Sequence, residues 1–288
     1  MNIGIFGLGL IGGSIGRATV KKTNHKVFGT DKFADNVMKA KLLNAIHQEL
    51  TDENLMECDM VCLAVYPQTA IEIMNKILPK LKDGAIVFDC CGTKRKIVKA
   101  MEEAKKQYPS LHFVGIHPMA GREFSGISHA IPTLFENSFT IVTPIEQDMQ
   151  VLTTVRNFFM ELGSIGIEVA SGEKHDKMIS YTSQLAHVLS SSYIKNPLSS
   201  SYAGFSAGSF RDMTRVAKLS PSMWTELCLE NGDNLVEQID NLIFHLEEYK
   251  TAIKNGDEKR LYSLFEEGSL RKAEAEELIK KRKKNDKN

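Results

Sequence analysis

Through the first 170 residues, short apolar runs alternate with longer stretches in which apolar side chains return every three or four positions, which predicts strands and helices in turn. Residues 3–6, 26–30, 59–65, 85–89, 111–116, 139–143 and 165–169 read as strands, and 34–43, 69–81, 93–107 and 148–162 as helices. The strand runs are mostly apolar throughout, as expected of strands covered on both faces, so the alternation builds a parallel, doubly wound sheet. From Ser171 the pattern changes. No further strand run follows, and 176–195, 210–219, 221–255 and 257–284 carry helical spacing. The expected organisation is an α/β domain over 1–170 and an all-α domain over 171–288, with a cleft between them as the natural place for a small-molecule site.

The first strand runs directly into Gly7-Leu8-Gly9-Leu10-Ile11-Gly12, a GxGxxG pattern between a strand and a helix. Gly7 permits the tight turn, Gly9 lets a pyrophosphate approach the backbone, and Gly12 lets the helix pack closely on the strand. The pyrophosphate then lies on the amides that open the helix, where the dipole favours an anion. The second strand delivers Asp31 at the expected spacing of about 20 residues, where a carboxylate accepts the adenosine ribose hydroxyls and repels a 2′-phosphate. The first domain is thus read as a Rossmann-type dinucleotide site that prefers NAD to NADP, a preference Lys32 weakens slightly. Its cofactor-binding residues are Gly7, Gly9, Leu10, Ile11, Gly12 and Asp31.

Composition narrows the partners. The chain is 288 residues long, and its 36 Lys and Arg balance 36 Asp and Glu, which argues against a general nucleic-acid or membrane-surface binder. The basic run over 280–287 reads as a solvated helix end. Cys58, Cys62, Cys90, Cys91 and Cys228 are odd in number and lack a CxxC pair, so they read as reduced thiols of a cytoplasmic protein. No apolar run approaches a membrane span, and the opening strand leaves no room for a signal peptide.

In an open parallel sheet a ligand lies beyond the carboxyl ends of the strands. Two loops there carry chemistry. Cys91-Gly92-Thr93-Lys94 places a hydroxyl and an ammonium where a helix begins, and His117 ends its strand just before Pro118. A histidine with a near-neutral pKa can take an alcohol proton while hydride leaves the carbon that bears it. In the helical half, Asp176, Ser180, Ser183 and His187 fall on one helix face and would line a wet cleft. Arg211 and Arg215, four apart, are candidate anchors for a carboxylate, and Trp224 is either core or pocket wall.

These residues resemble the prephenate and arogenate dehydrogenase family of tyrosine biosynthesis. The resemblance covers most of the chain and rests on the glycine segment continued through Gly13-Ser14, on Gly115-Ile116-His117-Pro118-Met119-Ala120-Gly121, on His175-Asp176, and on Phe210-Arg211-Asp212-Met213-Thr214-Arg215. It implies NAD-dependent oxidative decarboxylation of a cyclohexadienol that carries a ring carboxylate and a three-carbon side chain. It also implies that His117 takes the ring hydroxyl's proton, that Thr93 bonds the same region where the family more often has serine, and that Arg215 binds a substrate carboxylate. Ser183 and His187 match residues lining the substrate site, and the helical domain is expected to form a homodimer. One departure is Ser183-Gln184-Leu185-Ala186-His187, where the family usually reads Ser-His-Leu-Pro-His, and this bears on selectivity for the side chain. Prephenate, with a keto acid there, is the expected substrate, and arogenate, with an amino acid, is the alternative.

Two rivals remain open at this level. A β-hydroxyacid dehydrogenase or imine reductase also joins such a domain to helices, but the former needs a lysine on the central helix. Lys177 is too near its start and Lys195 lies at its far end. A nucleotide-sensing protein without catalysis is the other, and the presence of His117 and Arg215 counts against it.

Overall fold

A computed structural model describes residues 1–285, with side chains to residue 280, so most of the basic run at 280–287 lies outside the described side chains. The chain forms two compact units, Met1–Gly232 and Asp233–Asn288. The first is built on an eight-stranded sheet of order β3-β2-β1-β4-β5-β6-β7-β8. Its strands are β1 (Asn2–Phe6), β2 (Lys26–Thr30), β3 (Gln48–Glu49), β4 (Met60–Leu63), β5 (Ile86–Asp89), β6 (His112–Pro118), β7 (Phe139–Pro144) and β8 (Gly166–Val169). The strand order reverses between β1 and β4, which is the switch point where doubly wound sheets open a ligand crevice.

Period-two alternation sends neighbouring residues to opposite faces. One face carries Ile3, Ile5, Phe88, Val114 and Ile116, which pack under α1 (Leu10–Lys22) and α6 (Met149–Leu162). The other carries Val61, Leu63, Val87 and Phe113 under α4 (Pro67–Ile77) and α5 (Arg95–Gln107). Phe88 meets Phe158 and Phe159 edge-on with ring centroids 6.2 and 5.8 Å apart, the geometry aromatic quadrupoles prefer. Two short helices, α2 (Ala34–Leu42) and α3 (Asp52–Leu55), complete this half, and β3 between them is a two-residue edge strand with no apolar signal.

The sheet departs from the all-parallel expectation at one place, because β7 runs antiparallel to β6, with His117 opposite Ile141. A parallel return requires a crossover of a dozen or more residues, usually a helix. Between Pro118 and Phe139 there is only one 3-10 turn, Ile127–His129, so the chain comes back in the opposite sense.

Beyond β8 the chain is helical: α7 (Gly172–Ile179), a π-helical turn Ser180–Gln184, α8 (Leu185–Tyr193), α9 (Gly208–Thr214) and α10 (Pro221–Glu230). The helix expected over 176–195 thus starts earlier and is interrupted, and the one expected over 221–255 breaks at Asn231. The second unit holds α11 (Gly232–Asn255) and α12 (Glu258–Asn285), linked at Gly256, whose φ of 63° is the left-handed cap that favours glycine. Tyr249 Oη donates to the Leu264 carbonyl at 3.0 Å, and Arg260 pairs with Glu248. All five cysteines are free thiols, and among the described residues no helix is long and apolar enough to cross a membrane.

Candidate functional site

The glycine turn has the shape its sequence demands. Gly7 has φ of 90°, and a Cβ there would strike the Ala64 carbonyl oxygen. A Cβ on Gly12 would strike the Gly7 carbonyl oxygen, so only glycine lets α1 sit this close to β1. Gly9 is different, since nothing lies within 4 Å of the position its Cβ would take. That clearing stands over the first turn of α1, which no side chain caps, so the amides of Leu10 and Ile11 face the place an anion would occupy. These residues fit a dinucleotide pyrophosphate. Asp31 follows β2, and its carboxylate accepts from Leu8 N–H at 2.8 Å, Phe33 N–H at 3.0 Å and Asn36 Nδ2 at 3.0 Å. An ionised carboxylate has about four acceptor positions, which leaves capacity for a ribose hydroxyl.

At the end of β5 a buried ion pair organises the next loop. Lys94 Nζ donates to Asp89 Oδ2 at 2.5 Å and to the Cys91 carbonyl at 2.9 Å, and both charged side chains are fully buried. Asp89 also accepts from the N–H groups of Cys91 and Ile116, at 2.8 and 3.2 Å. Lys94 therefore does not offer its ammonium to a ligand, contrary to the expectation from its place in the loop. It ties the ends of β5 and β6 together, with its stem running where a Cβ on Gly115 would come within 3.2 Å. Thr93, almost fully buried, donates its hydroxyl to Glu230 Oε2 at 2.7 Å, and Glu230 also pairs with Lys96 at 3.1 Å.

His117, half-buried at the end of β6, is joined through its Nδ1 to His175 Nε2 at 2.8 Å, and His175 Nδ1 lies 2.7 Å from Asp176 Oδ1. Asp176 in turn accepts from the N–H groups of Lys94 and Arg95, at 2.7 and 2.9 Å, and from Arg95 Nε at 3.4 Å. Burial alone would raise the Asp176 carboxyl, but bonds from His175 and the two amides hold it below the usual carboxylate range. Burial, then the neighbouring His175 ring, then the Lys94 ammonium push His117 well below the usual imidazole value of 6.5. His117 is therefore a neutral imidazole at physiological pH, able to accept a proton.

The polar stripe expected along one helix face is not a continuous wet surface. Asp176 and Ser180 are buried, whereas Ser183 and His187 are half-buried. The cause is the π-turn at 180–184, which inserts one residue and changes the phase between the two ends of the stripe. Gln184 points inward, donating to the Leu227 carbonyl at 2.8 Å and accepting from Asn231 Nδ2 at 2.7 Å. Asn231 also donates to the Asp176 carbonyl and accepts from Arg95. This amide cluster explains the break between α10 and α11, and it commits Gln184 to the protein interior, while Ala186 is exposed. His187 Nδ1 donates to the Ser183 carbonyl, and its ring stacks on Trp224 with centroids 3.9 Å apart, so Trp224 is half-buried against His187 and not in the core. Arg215, in the 3-10 turn after α9, pairs with Glu123 at 2.9 Å, and at 59% and 43% side-chain exposure the pair is open to solvent. Arg211 is likewise exposed.

Sequence reasoning had no place for Glu230, Asn231 or the link from His175 to His117. The Asn231-Gly232 pair was the available signal for a helix break.

Two family models match this chain: the nucleotide-binding domain of prephenate dehydrogenase over residues 15–167, and its dimerization domain over 171–267. A prephenate dehydrogenase of Bacillus subtilis is 30% identical over 272 residues, covering 90% of this chain and 72% of the relative. A cyclohexadienyl dehydrogenase of Zymomonas mobilis is 31% identical over 280 residues, covering 92% and 93%. Among solved structures, prephenate dehydrogenase from Aquifex aeolicus in complex with hydroxyphenyl propionate and NAD+ superposes with a TM-score of 0.84 at 28% identity, covering 96% of this chain and 98% of the other.

Proposed function

The chain belongs to the prephenate dehydrogenase family, and on that premise we propose that it converts prephenate to 4-hydroxyphenylpyruvate by NAD-dependent oxidative decarboxylation. The observation that carries the proposal is a neutral His117 at the carboxyl end of β6, in the same sheet whose first turn is shaped for a dinucleotide. NAD supplies the hydride acceptor when bound. His117 takes the proton of the ring hydroxyl as hydride leaves the carbinol carbon. The resulting ring ketone accepts the electron pair of the bond to the ring carboxylate, CO2 departs, the ring becomes aromatic, and the phenolate oxygen takes back the proton held by His117. Arg215 binds a substrate carboxylate, with Ser183 and His187 lining the same site. Thr93, whose proton is committed to Glu230, contributes through its oxygen lone pairs.

The wider reading is a cytoplasmic enzyme of tyrosine biosynthesis that acts as a homodimer through its helical domain. Phe244, Leu246, Ile253, Phe265 and Leu270 on α11 and α12 are each more than half exposed in the single chain, an apolar surface that suits a second copy. Gln184, engaged inside the protein, has no carboxylate or spare amide to offer an ammonium, which favours prephenate over arogenate.

The test is the initial rate of NAD and NADP reduction with prephenate and with arogenate in turn. NADH formation with prephenate is the expected result. A preference for arogenate would overturn the choice of substrate, and no reaction with either would overturn the activity.

A further inference from the structure

The chain of groups behind His117 has a directional logic that rests on the catalytic reading above and deepens it. An ionised carboxylate can only accept hydrogen bonds. Asp176 receives bonds from the Lys94 and Arg95 amides and from the Arg95 guanidinium, which keep it ionised, so across the 2.7 Å contact it is His175 Nδ1 that carries a proton. Two states of His175 then remain. If His175 is neutral, its Nε2 is an acceptor and His117 Nδ1–H must donate across 2.8 Å. If His175 were an imidazolium, both its nitrogens would donate, His117 Nδ1 would accept, and the proton of a neutral His117 would sit on Nε2. The buried Lys94 ammonium disfavours a second cation in this region, and burial holds His175 below the usual imidazole range despite its bond to Asp176.

We infer that Asp176 is a positioning residue for catalysis: acting through His175, it fixes His117 as the tautomer protonated on Nδ1, leaving Nε2 bare to take the substrate's proton. The arrangement extends the logic of a carboxylate orienting a catalytic imidazole by one ring. When His117 Nε2 gains the hydroxyl proton, Nδ1–H remains bonded to His175, and the Asp176 carboxylate offsets the new positive charge at one remove. No proton leaves along the chain, because Asp176 is buried and held ionised. The element also supports the loop it reads, since the same carboxylate binds the two amides that lead into α5.

The first test reads the tautomer directly and needs no activity: ring 15N shifts of the full-length protein labelled at histidine, with the His117 signals assigned by their loss in His117→Asn. The expected pattern for His117 is a protonated Nδ1 and an unprotonated Nε2 at neutral pH. The reverse pattern, or averaging between the two, overturns the inference. Asp176→Asn should lower kcat by about 10²- to 10⁴-fold with NAD affinity retained and the His117 pattern lost. His175→Leu removes the acceptor for His117 and should behave alike, while His175→Gln restores a carbonyl acceptor and should recover much of the loss. Equal defects in the two His175 variants, with NAD binding intact, would reduce the chain to a structural role and sink the proposal. Wild-type protein that shows the expected tautomer but reduces no NAD with prephenate would overturn the activity and leave the tautomer assignment standing.

Discussion

Asp31 holds Leu8: the carboxylate that follows β2 accepts the backbone N–H of the glycine turn after β1 at 2.8 Å. The same carboxylate bonds Phe33 N–H and Asn36 Nδ2, so it ties the glycine turn after β1 to the loop that follows β2. On the proposed reading of Asp31 as the ribose acceptor, cofactor choice and the shape of the glycine turn depend on one side chain.

Replacement of Asp31 should separate these duties. Asp31→Asn keeps an acceptor for Leu8 but removes the charge. Charge-assisted hydrogen bonds contribute about 1.5–3 kcal/mol, and about 1.4 kcal/mol is tenfold, so the preference for NAD over NADP in kcat/KM should narrow by roughly tenfold or more. Asp31→Ala should weaken both cofactors by loosening the turn. Initial rates with each cofactor decide it, and an Asp31→Ala variant that gains turnover with NADP would refute the shared role.

Loss of the base has a separate signature. His117→Asn should lower turnover by about 10²- to 10⁴-fold, the range typical of general base catalysis, with the dissociation constant for NAD nearly unchanged. Calorimetric titration of NAD beside steady-state rates measures both. Unaltered turnover would remove His117 from the mechanism.

The depressed pKa of His117 also fixes a pH dependence. As the proposed base, His117 acts when neutral, so the acid limb of kcat/KM should fall well below pH 6.5, the usual imidazole value. For stability the sign follows from proton counting. The unfolded chain binds protons at His117, His175 and His187 as pH falls through about 6.5, whereas the folded chain, with all three lowered, binds fewer in that window, so stability rises with pH through it. These contributions are present above pH 6.5 and lost as pH falls toward the folded values. Urea midpoints at about pH 7.5 and about pH 5.5 should differ in that sense, and His117→Asn should reduce the difference.

Lys94 and Asp89 make a third case. Removal of one partner from a buried pair leaves an uncompensated charge, at a cost of about 3–5 kcal/mol, so Lys94→Ala should lower the urea midpoint strongly. Because the Lys94 ammonium helps hold His117 neutral, Lys94→Met should also move the acid limb of the rate profile to higher pH. A profile that does not move would show that burial and the neighbouring His175, without Lys94, set the His117 pKa.

Much of this architecture is legible in the residues themselves. The apolar alternation in 3–6, 85–89 and 111–116 marks the central strands, and Gly7, Gly9 and Gly12 occupy the positions that sterics require. The sense of β7 was not legible from its apolar pattern, which is the same for a strand of either direction. The lack of a helical stretch between 118 and 139 was the only hint. Lys94 misled because lysine is almost never fully buried unless paired, and its partner Asp89 reads simply as the end of a strand. His175 and His117 lie 58 residues apart, and their contact depends on where α7 docks, which local pattern does not encode. Asp176, Ser180, Ser183 and His187 share one face only with an unbroken 3.6-residue period, and the π-turn violates it.

That π-turn makes the face carrying Ser183 and His187, the proposed substrate wall, sensitive to the number of residues in the chain as well as to their identity. Each α-helical residue advances the chain by about 100° and about 1.5 Å, so removing one residue from Ser180–Gln184 would turn α8 by more than a quarter revolution relative to α7. His187 would swing off Trp224, and Gln184 would leave its bonds with Leu227 and Asn231, with no side chain altered. A single insertion or deletion here would thus turn a different face of α8 toward the rest of the first unit, a change in the proposed substrate wall that no point substitution makes.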